Sequence, residues 1–300
     1  MINSRKQESV QRGNAFFPIQ YYLIDTTNPL YNLPLHWHLE FELIHILRGA
    51  YTMFIGNSEQ ELREGDVCFL TGGILHGDGK NVGKCIYESV VFDPDMLRVK
   101  NYSSDEFIGK MIERQIYAQA VISRDPDSAD VMAVVEKLYK AMKDKPDGYE
   151  LFTTGYLYLF LGQLKQKKYY YEKQTAAATG KKLRTEQLKA VLNLVETNYN
   201  NPLSLEQMAD TAGLSPKYFC RVFREMTHHT PVEYLNLYRV NCACDKLRTT
   251  DDPIIDVAYG CGFNDFSYFI KMFKRYKGMT PFKYRNYDES KHTADMIKVS

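Results

Sequence analysis

The chain has 300 residues, a formal net charge of +1, 44% hydrophobic and 25% charged residues. That is the balance of an ordinary soluble globular protein, and at roughly 100–200 residues per domain it predicts about two domains. No run of about 18 apolar residues is present and the opening MINSRKQESVQRGN lacks the apolar stretch of a signal peptide, so a cytoplasmic chain with no membrane partner is expected.

The first half reads as strands. Segments 19–25 (IQYYLID), 43–48 (LIHILR), 51–55 (YTMFI), 66–70 (DVCFL) and 86–92 (IYESVVF) are rich in β-branched and aromatic residues. Turn signals separate them: Gly56-Asn57, Gly65-Asp66, Gly72-Gly73 and Gly77-Asp78-Gly79. Many short strands between glycine-rich turns predict a small β-barrel over about 15–98.

Within this stretch HWHLEFE sets His36 and His38 two apart, on one side of an extended segment, with Glu42 following and His76 arriving later. Two histidines, a carboxylate and a third histidine form a plausible ligand set for a divalent metal. The spacings H-x-H-x3-E-x6-G from His36 to Gly49 and G-x5-T-G-G-x2-H from Gly65 to His76 are similar to the two cupin motifs, with Thr71 where proline is usual. The resemblance implies a double-stranded β-helix. Three readings of the cluster stand side by side. His36, Trp37, His38, Glu42 and His76 line a pocket for a small polar effector; or His36, His38, Glu42 and His76 hold a metal ion; or they form a hydrogen-bonded cluster without a ligand. No cofactor is required by the first and third. His45 lies within a strand and is expected to be packed there.

The texture changes near residue 105. Val131, Val134, Val135, Leu138, Tyr139 and Met142 follow one helical stripe. After the turn KPDG a second helix, about 150–168, is apolar over an arc wide enough for both the barrel and a partner subunit. The helices of about 105–170 are therefore read as a dimerisation segment, giving a first domain over 1–171. EKQTAAATGKK, 172–182, is small and polar and is read as a linker.

From 183 to about 290 the chain reads as all-helical. Leu188, Val191, Leu192 and Val195 make an amphipathic stripe stopped by Asn200-Asn201-Pro202. Ser204 and Gln207 form a capping box, Gly213 supplies a left-handed turn, and Ser215-Pro216 opens the next helix. This is a helix-turn-helix. About fifty residues on, the pattern returns. Ala258, Gly262 and Phe263 answer Ala209, Gly213 and Leu214 at an offset of 49, and Ile255 answers Leu205 at 50; Tyr268-Phe269, Met272-Phe273, Thr280-Pro281 and Tyr284 answer Tyr218-Phe219, Val222-Phe223, Thr230-Pro231 and Tyr234 at 50. The second turn is thus one residue longer. Residues 231–249 join the copies as a helix of about 28 Å, at 1.5 Å per residue. Successive major grooves on one face of DNA lie ~34 Å apart. Two copies on such a spacer are suited to neighbouring groove segments of double-stranded DNA.

The side chains expected at the DNA are Ser215, Lys217, Cys220, Arg221 and Arg224 in the first copy, and Ser267, Tyr268, Lys271 and Lys274 in the second. Phe266 and Ile270 also face outward in this reading. Charge agrees. Residues 181–300 hold 18 Lys and Arg against 14 Asp and Glu, which leaves 20 against 23 in residues 1–180. The six cysteines form no C-x-x-C pair and are expected to be free thiols.

GFNDFSYFIKMFKRYKGMTPFKYR, Gly262 to Arg285, closely resembles the signature of the AraC/XylS family of bacterial transcription regulators, and the resemblance extends over about 185–287. It implies promoter binding through both units, contact with RNA polymerase, a homodimer, and a small effector, sugar being the first expectation, in the N-terminal domain. His228 departs from the pattern, standing where the second copy has Gly278. The competing reading is a cupin enzyme of dioxygenase or isomerase type, with iron or manganese on His36, His38, Glu42 and His76. No further acid–base or nucleophile constellation supports it, and it leaves the doubled helix-turn-helix unexplained.

Overall fold

A computed structural model describes residues 13–286, except 15, 29, 30, 32, 57, 100–102 and 173–178. The chain divides into two compact units, Met1–Thr27 with Leu35–Lys182 and Asn28–Pro34 with Leu183–Ser300.

The first unit begins with β1 (Ile19–Asp25), β2 (Phe41–Ile55), β3 (Ser58–Arg63), β4 (Val67–Leu70), β5 (His76–Asp78) and β6 (Cys85–Phe92). It continues through α1 (Ser103–Ile112), β7 (Ile116–Ala118), β8 (Val121–Ile122), α2 (Ala129–Asp144), α3 (Tyr149–Lys167) and β9 (Tyr170–Glu172). The main sheet is antiparallel in the order β1-β6-β2-β4-β8, with β3 and β5 also paired to β2. Segments 43–48 and 51–55, expected as two strands, are one long strand. Its first half pairs with β4 and β6, its second half with β3 and β5. The register shifts between Ile46 and Arg48, the mark of a bulge. Gly49 follows at φ +82°, where a Cβ would lie 2.1 Å from Lys84 O.

Alternation along β2 separates two faces. Phe41 and Leu43 pack with Phe69, Val90 and Phe92 against Val135 and Leu138 of α2 and Leu157, Phe160 and Leu161 of α3. Phe69 meets Phe160 edge-on at 5.0 Å. Glu42 and Ile44 therefore belong to the opposite face. Cross-strand pairing gives that face Leu70 and Val91 beside Glu42, and Cys68 and Ser89 beside Ile44. His45 is on the helix side, its Nδ1 3.0 Å from Glu88 Oε1.

Three features differ from the expected layout. β3 (SEQELR) has mostly exposed residues, so no apolar alternation reveals it. The region expected to be helical, 105–170, also contains β7 and β8, and β7 pairs with β9 just beyond it. Strands of two or three residues are too short for a period to show. Of the linker 172–182, positions 173–178 lie outside the described residues, while Glu172 ends β9 and helix already begins at Thr179.

The second unit contains α4 (Thr179–Asn198, its first residues falling before the division), α5 (Leu205–Thr211), α6 (Pro216–Thr227), α7 (Pro231–Thr249), α8 (Ile254–Gly260), α9 (Phe266–Lys277) and α10 (Pro281–Arg285). Residues 287–290, the end of the expected domain, lie outside the described residues. The α4 stripe is buried at Leu188, Val191, Leu192 and Val195. α7 is the helix expected over 231–249, opened by a capping box between Thr230 and Glu233. It contributes Val240, Ala243, Cys244 and Leu247 to a core with Val257, Ala258, Phe263, Phe269, Met272, Phe273 and Tyr284. No helix among the described residues is long and apolar enough to cross a membrane.

Candidate functional site

In the second unit the structure builds both helix-turn-helix copies. Four residues separate α5 from α6 and five separate α8 from α9. Gly213 and Gly262 take φ of +65° and +83° in the turns. On α6 the residues Phe219, Val222 and Phe223 are buried; on α9, Phe269, Met272 and Phe273. Burying these stripes leaves Lys217, Arg221 and Arg224 exposed on α6, and Ser267, Tyr268, Lys271 and Lys274 exposed on α9, with Ser215 exposed before α6. Cys220 is half-buried. Phe266 and Ile270 are not the free outward residues expected. Both pack against the core, and Phe266 stacks on Phe269 at 6.1 Å. With one extra residue in the turn, the α9 end can fold Phe266 back where α6 has proline.

Sequence reasoning missed the groups behind this face. Asn236 of α7 donates to the Tyr268 hydroxyl at 2.9 Å, and Arg275 of α9 pairs with Glu233 of α7 at 3.1 Å. Tyr276 also donates to Glu233 O. The connector is thus bonded to the second recognition helix as well as packed on it. An asparagine within an otherwise apolar helical stripe was the available signal.

In the first unit, His36, His38 and His76 converge, with ligand atoms all within 4.8 Å of one another. Two backbone bonds lock His36 to His76: His36 N donates to His76 O at 2.8 Å and His76 N to His36 O at 2.9 Å. The Thr71-Gly72-Gly73 turn is held beneath this segment. Gly73 N donates to His38 O, and a Cβ on Gly72 would lie 2.2 Å from Leu39 O. That is why the motif needs glycine there. Glu42 joins from β2, with Oε2 3.1 Å from His76 Nε2 and 3.4 Å from His38 Nε2. His38, Glu42 and His76 are buried, while Trp37 is half-buried and outside the converging ligand set.

The remaining bonds of the cluster fix its chemistry. His38 Nδ1 is 3.1 Å from Glu40 O and His76 Nδ1 is 2.8 Å from Ile74 O. A carbonyl has no proton to give, so each Nδ1 donates, and in a neutral ring Nε2 keeps the lone pair. Two lone pairs then face one carboxylate oxygen, an arrangement that calls for a cation between them. Ser89 donates to the other oxygen, Glu42 Oε1, at 2.6 Å. Burial pushes the Glu42 pKa up, but when the two rings are protonated their Nε2–H groups and positive charge outweigh it and hold the carboxyl well below the usual range. The buried Nε2 of His76 has no hydrogen-bond partner of acceptable geometry. Three imidazoles and a carboxylate, with carbonyls on the outer nitrogens of His38 and His76, fit a divalent transition metal. Ser89 was not foreseen, because only strand register brings it to Glu42.

A sheet-rich domain bearing a buried polar cluster, in one chain with two helix-turn-helix units on a helical spacer, defines a DNA-binding transcription regulator with a ligand-binding domain. The AraC-like ligand binding domain model matches residues 18–161 and the Helix-turn-helix domain model matches residues 208–287. The chain belongs to the AraC family of transcriptional regulators. It is similar to the HTH-type transcriptional regulator YdeC of Bacillus subtilis, 26% identical over 288 residues, covering 95% of this chain and 97% of that one. It is also similar to the regulatory protein SoxS of Salmonella typhimurium, 32% identical over 99 residues, covering 33% of this chain and 92% of SoxS. Among solved structures, a regulator with an AraC-type DNA-binding domain from Chromobacterium violaceum is 27% identical, covering 34% of this chain and 90% of that chain, with a TM-score of 0.33.

Proposed function

We propose that this regulator responds to a small ligand bound through a divalent metal ion held by His36, His38, Glu42 and His76. The observation that carries the reading is the pair of Nε2 atoms turned on Glu42 Oε2 by carbonyl-bonded Nδ1 groups. The ion supplies a Lewis-acidic centre for the oxygens of an effector. A sugar, expected from the family resemblance, fits through vicinal hydroxyls. An effector changes DNA binding only if it prefers one arrangement of the protein.

A homodimer belongs to the same proposal. The α3 residues Leu151, Phe152 and Leu159 are 80%, 51% and 55% exposed, beside Gly155 and Gly162, where an added Cβ would meet nothing within 4 Å. That apolar face suits a second copy of the chain, and a monomeric mass by light scattering would remove this part. Contact with RNA polymerase at the promoter is expected from family membership.

The central test is equilibrium dialysis of the full chain against Zn2+, Mn2+ and Ni2+, with and without His38→Ala. One ion per chain for at least one metal, lost in the variant while duplex DNA binding persists, supports the proposal. Failure to retain any of the three ions stoichiometrically overturns it.

A further inference from the structure

The two recognition helices carry a tyrosine at the same place, the third residue of each: Tyr218 in α6 and Tyr268 in α9. In both copies the hydroxyl is engaged from outside its own helix. Asn236 Nδ2 donates to Tyr268 OH at 2.9 Å, and Arg184 Nη2 of α4 donates to Tyr218 OH at 3.2 Å. The supporting residues are unrelated in type and come from different helices, yet each presents a donor. A phenolic oxygen that accepts such a bond still has its own O–H to give. For Tyr268 that proton has no acceptor among the described residues, and the ring is 42% exposed. Asn236 is only 5% exposed, so a buried amide is committed to holding a surface hydroxyl. Burying an amide costs free energy unless it is hydrogen-bonded, and an apolar residue would suffice for packing alone.

We propose that Tyr268 and Tyr218 donate hydrogen bonds to backbone phosphate oxygens of DNA, with Asn236 and Arg184 as positioning residues that keep the O–H directed outward. An acceptor suits Tyr268, whose proton has no partner among the described residues. Phosphate oxygens are the acceptors that flank a helix entering a groove, and tyrosine hydroxyls are among the groups that bind them. The neighbouring cations agree. Lys271 is exposed on the next turn of α9, and the Arg221 guanidinium lies 4.8 Å over the Tyr218 ring. The copies differ in strength: Asn236 is buried and close, whereas Arg184 is exposed and its bond longer.

The test uses the full chain and a duplex selected by it from random-sequence DNA. Tyr268→Phe keeps the ring and removes only the hydroxyl. It should bind about ten-fold more weakly, the scale of one hydrogen bond to a charged acceptor. Tyr218→Phe should lose less. A neutral hydroxyl releases no counterion, so the salt dependence of Tyr268→Phe should equal that of wild type, whereas Lys271→Ala should flatten it. Single neutral methylphosphonates placed along the duplex give the decisive reading. At one phosphate the substitution should cost wild type about ten-fold and cost Tyr268→Phe nothing further. Asn236→Asp offers an acceptor in place of the donor and turns the tyrosine proton inward. It should weaken binding as Tyr268→Phe does, with a melting temperature close to wild type confirming the fold. Wild-type affinity in Tyr268→Phe, or methylphosphonate profiles identical in the two proteins, would overturn the proposal.

Discussion

In the first helix-turn-helix copy, Ser204 caps α5 through its hydroxyl and Gln207 returns a bond to the Ser204 amide; in the second, Pro253 holds the equivalent place and α8 has no side-chain cap. The recognition helices reverse this. Asp265 caps α9 through Tyr268 N, while Ser215, before α6, makes no side-chain cap bond and is followed by Pro216. Thr230 forms a full capping box with Glu233, and Thr280 caps Lys283 N without a reciprocal bond. Helix-end chemistry is therefore exchangeable between copies, since each cap contributes only about 1 kcal/mol and proline at the first position serves instead. The buried stripe is not exchangeable in the same way. Phe219 and Phe269, and Phe223 and Phe273, are identical, and Val222 becomes only Met272. The copies are held alike by packing and differ at their ends.

The turn glycines put the sharpest strain on that conclusion. Both have positive φ, but a Cβ on Gly262 would lie 2.4 Å from Tyr199 O and 2.9 Å from Asn200 Cα, while Gly213 has nothing within 4 Å. Gly213→Ala should therefore cost only the left-handed backbone penalty, about 1 kcal/mol. Gly262→Ala adds a clash with backbone that cannot rotate away, and should cost about 3 kcal/mol or more. Denaturant unfolding of the two variants measures the difference. Equal losses would mean that the 199–200 segment yields easily and that the second copy is no more tightly seated than the first.

A smaller contrast concerns the paired cations at the DNA face. Arg221 has Glu225 at 4.0 Å and the Tyr218 ring beneath it, whereas Lys271 has no ion-pair partner among the described residues. Each should remove about one phosphate contact when changed to alanine, lowering the steepness of log K against log salt by about one. The affinity loss should be larger for Lys271→Ala, near ten-fold, because Arg221 has to give up Glu225 before it can bind DNA. A larger loss from Arg221→Ala, measured by fluorescence anisotropy across a salt series, would show that the first copy carries more of the binding.

Sequence made these helices visible for a physical reason. Caps, prolines and turn glycines are local, and the 3.6-residue stripes repeat, so α7 could be read to the residue. The histidine cluster was visible too, because His36, His38 and Glu42 stand close together and glycines mark the turn before His76. What stayed hidden depends on long-range register or on single polar contacts. Ser89 reaches Glu42 only because β6 pairs with β2, 47 residues away in sequence. Asn236 meets Tyr268 across 32 residues. β3 carries its exposed charges at an edge, and β7 to β9 are too short to show alternation. Phe266 and Ile270 were expected outward from helical spacing alone, which does not register how a longer turn lets an aromatic fold back.

The subtlest difference between the copies is at the end of the recognition helix. His228 closes α6 at φ +60° and Gly278 closes α9 at φ +67°, and each amide donates 3.0 Å to the carbonyl four residues earlier, of Arg224 and Lys274. The backbone shape is the same, yet only glycine adopts it without a steric penalty. His228→Gly should relieve that penalty and raise stability by up to about 1 kcal/mol, less the entropy that glycine adds to the unfolded chain. Thr227 should keep the turn in place, since its hydroxyl bonds Phe223 O and receives His229 N. DNA affinity should not change, because His228 lies at the far end of α6 from Lys217 and Arg221. A rise of a few degrees in melting temperature would identify this cap as stored strain; a fall would show that the imidazole itself makes contacts worth more than the left-handed backbone costs.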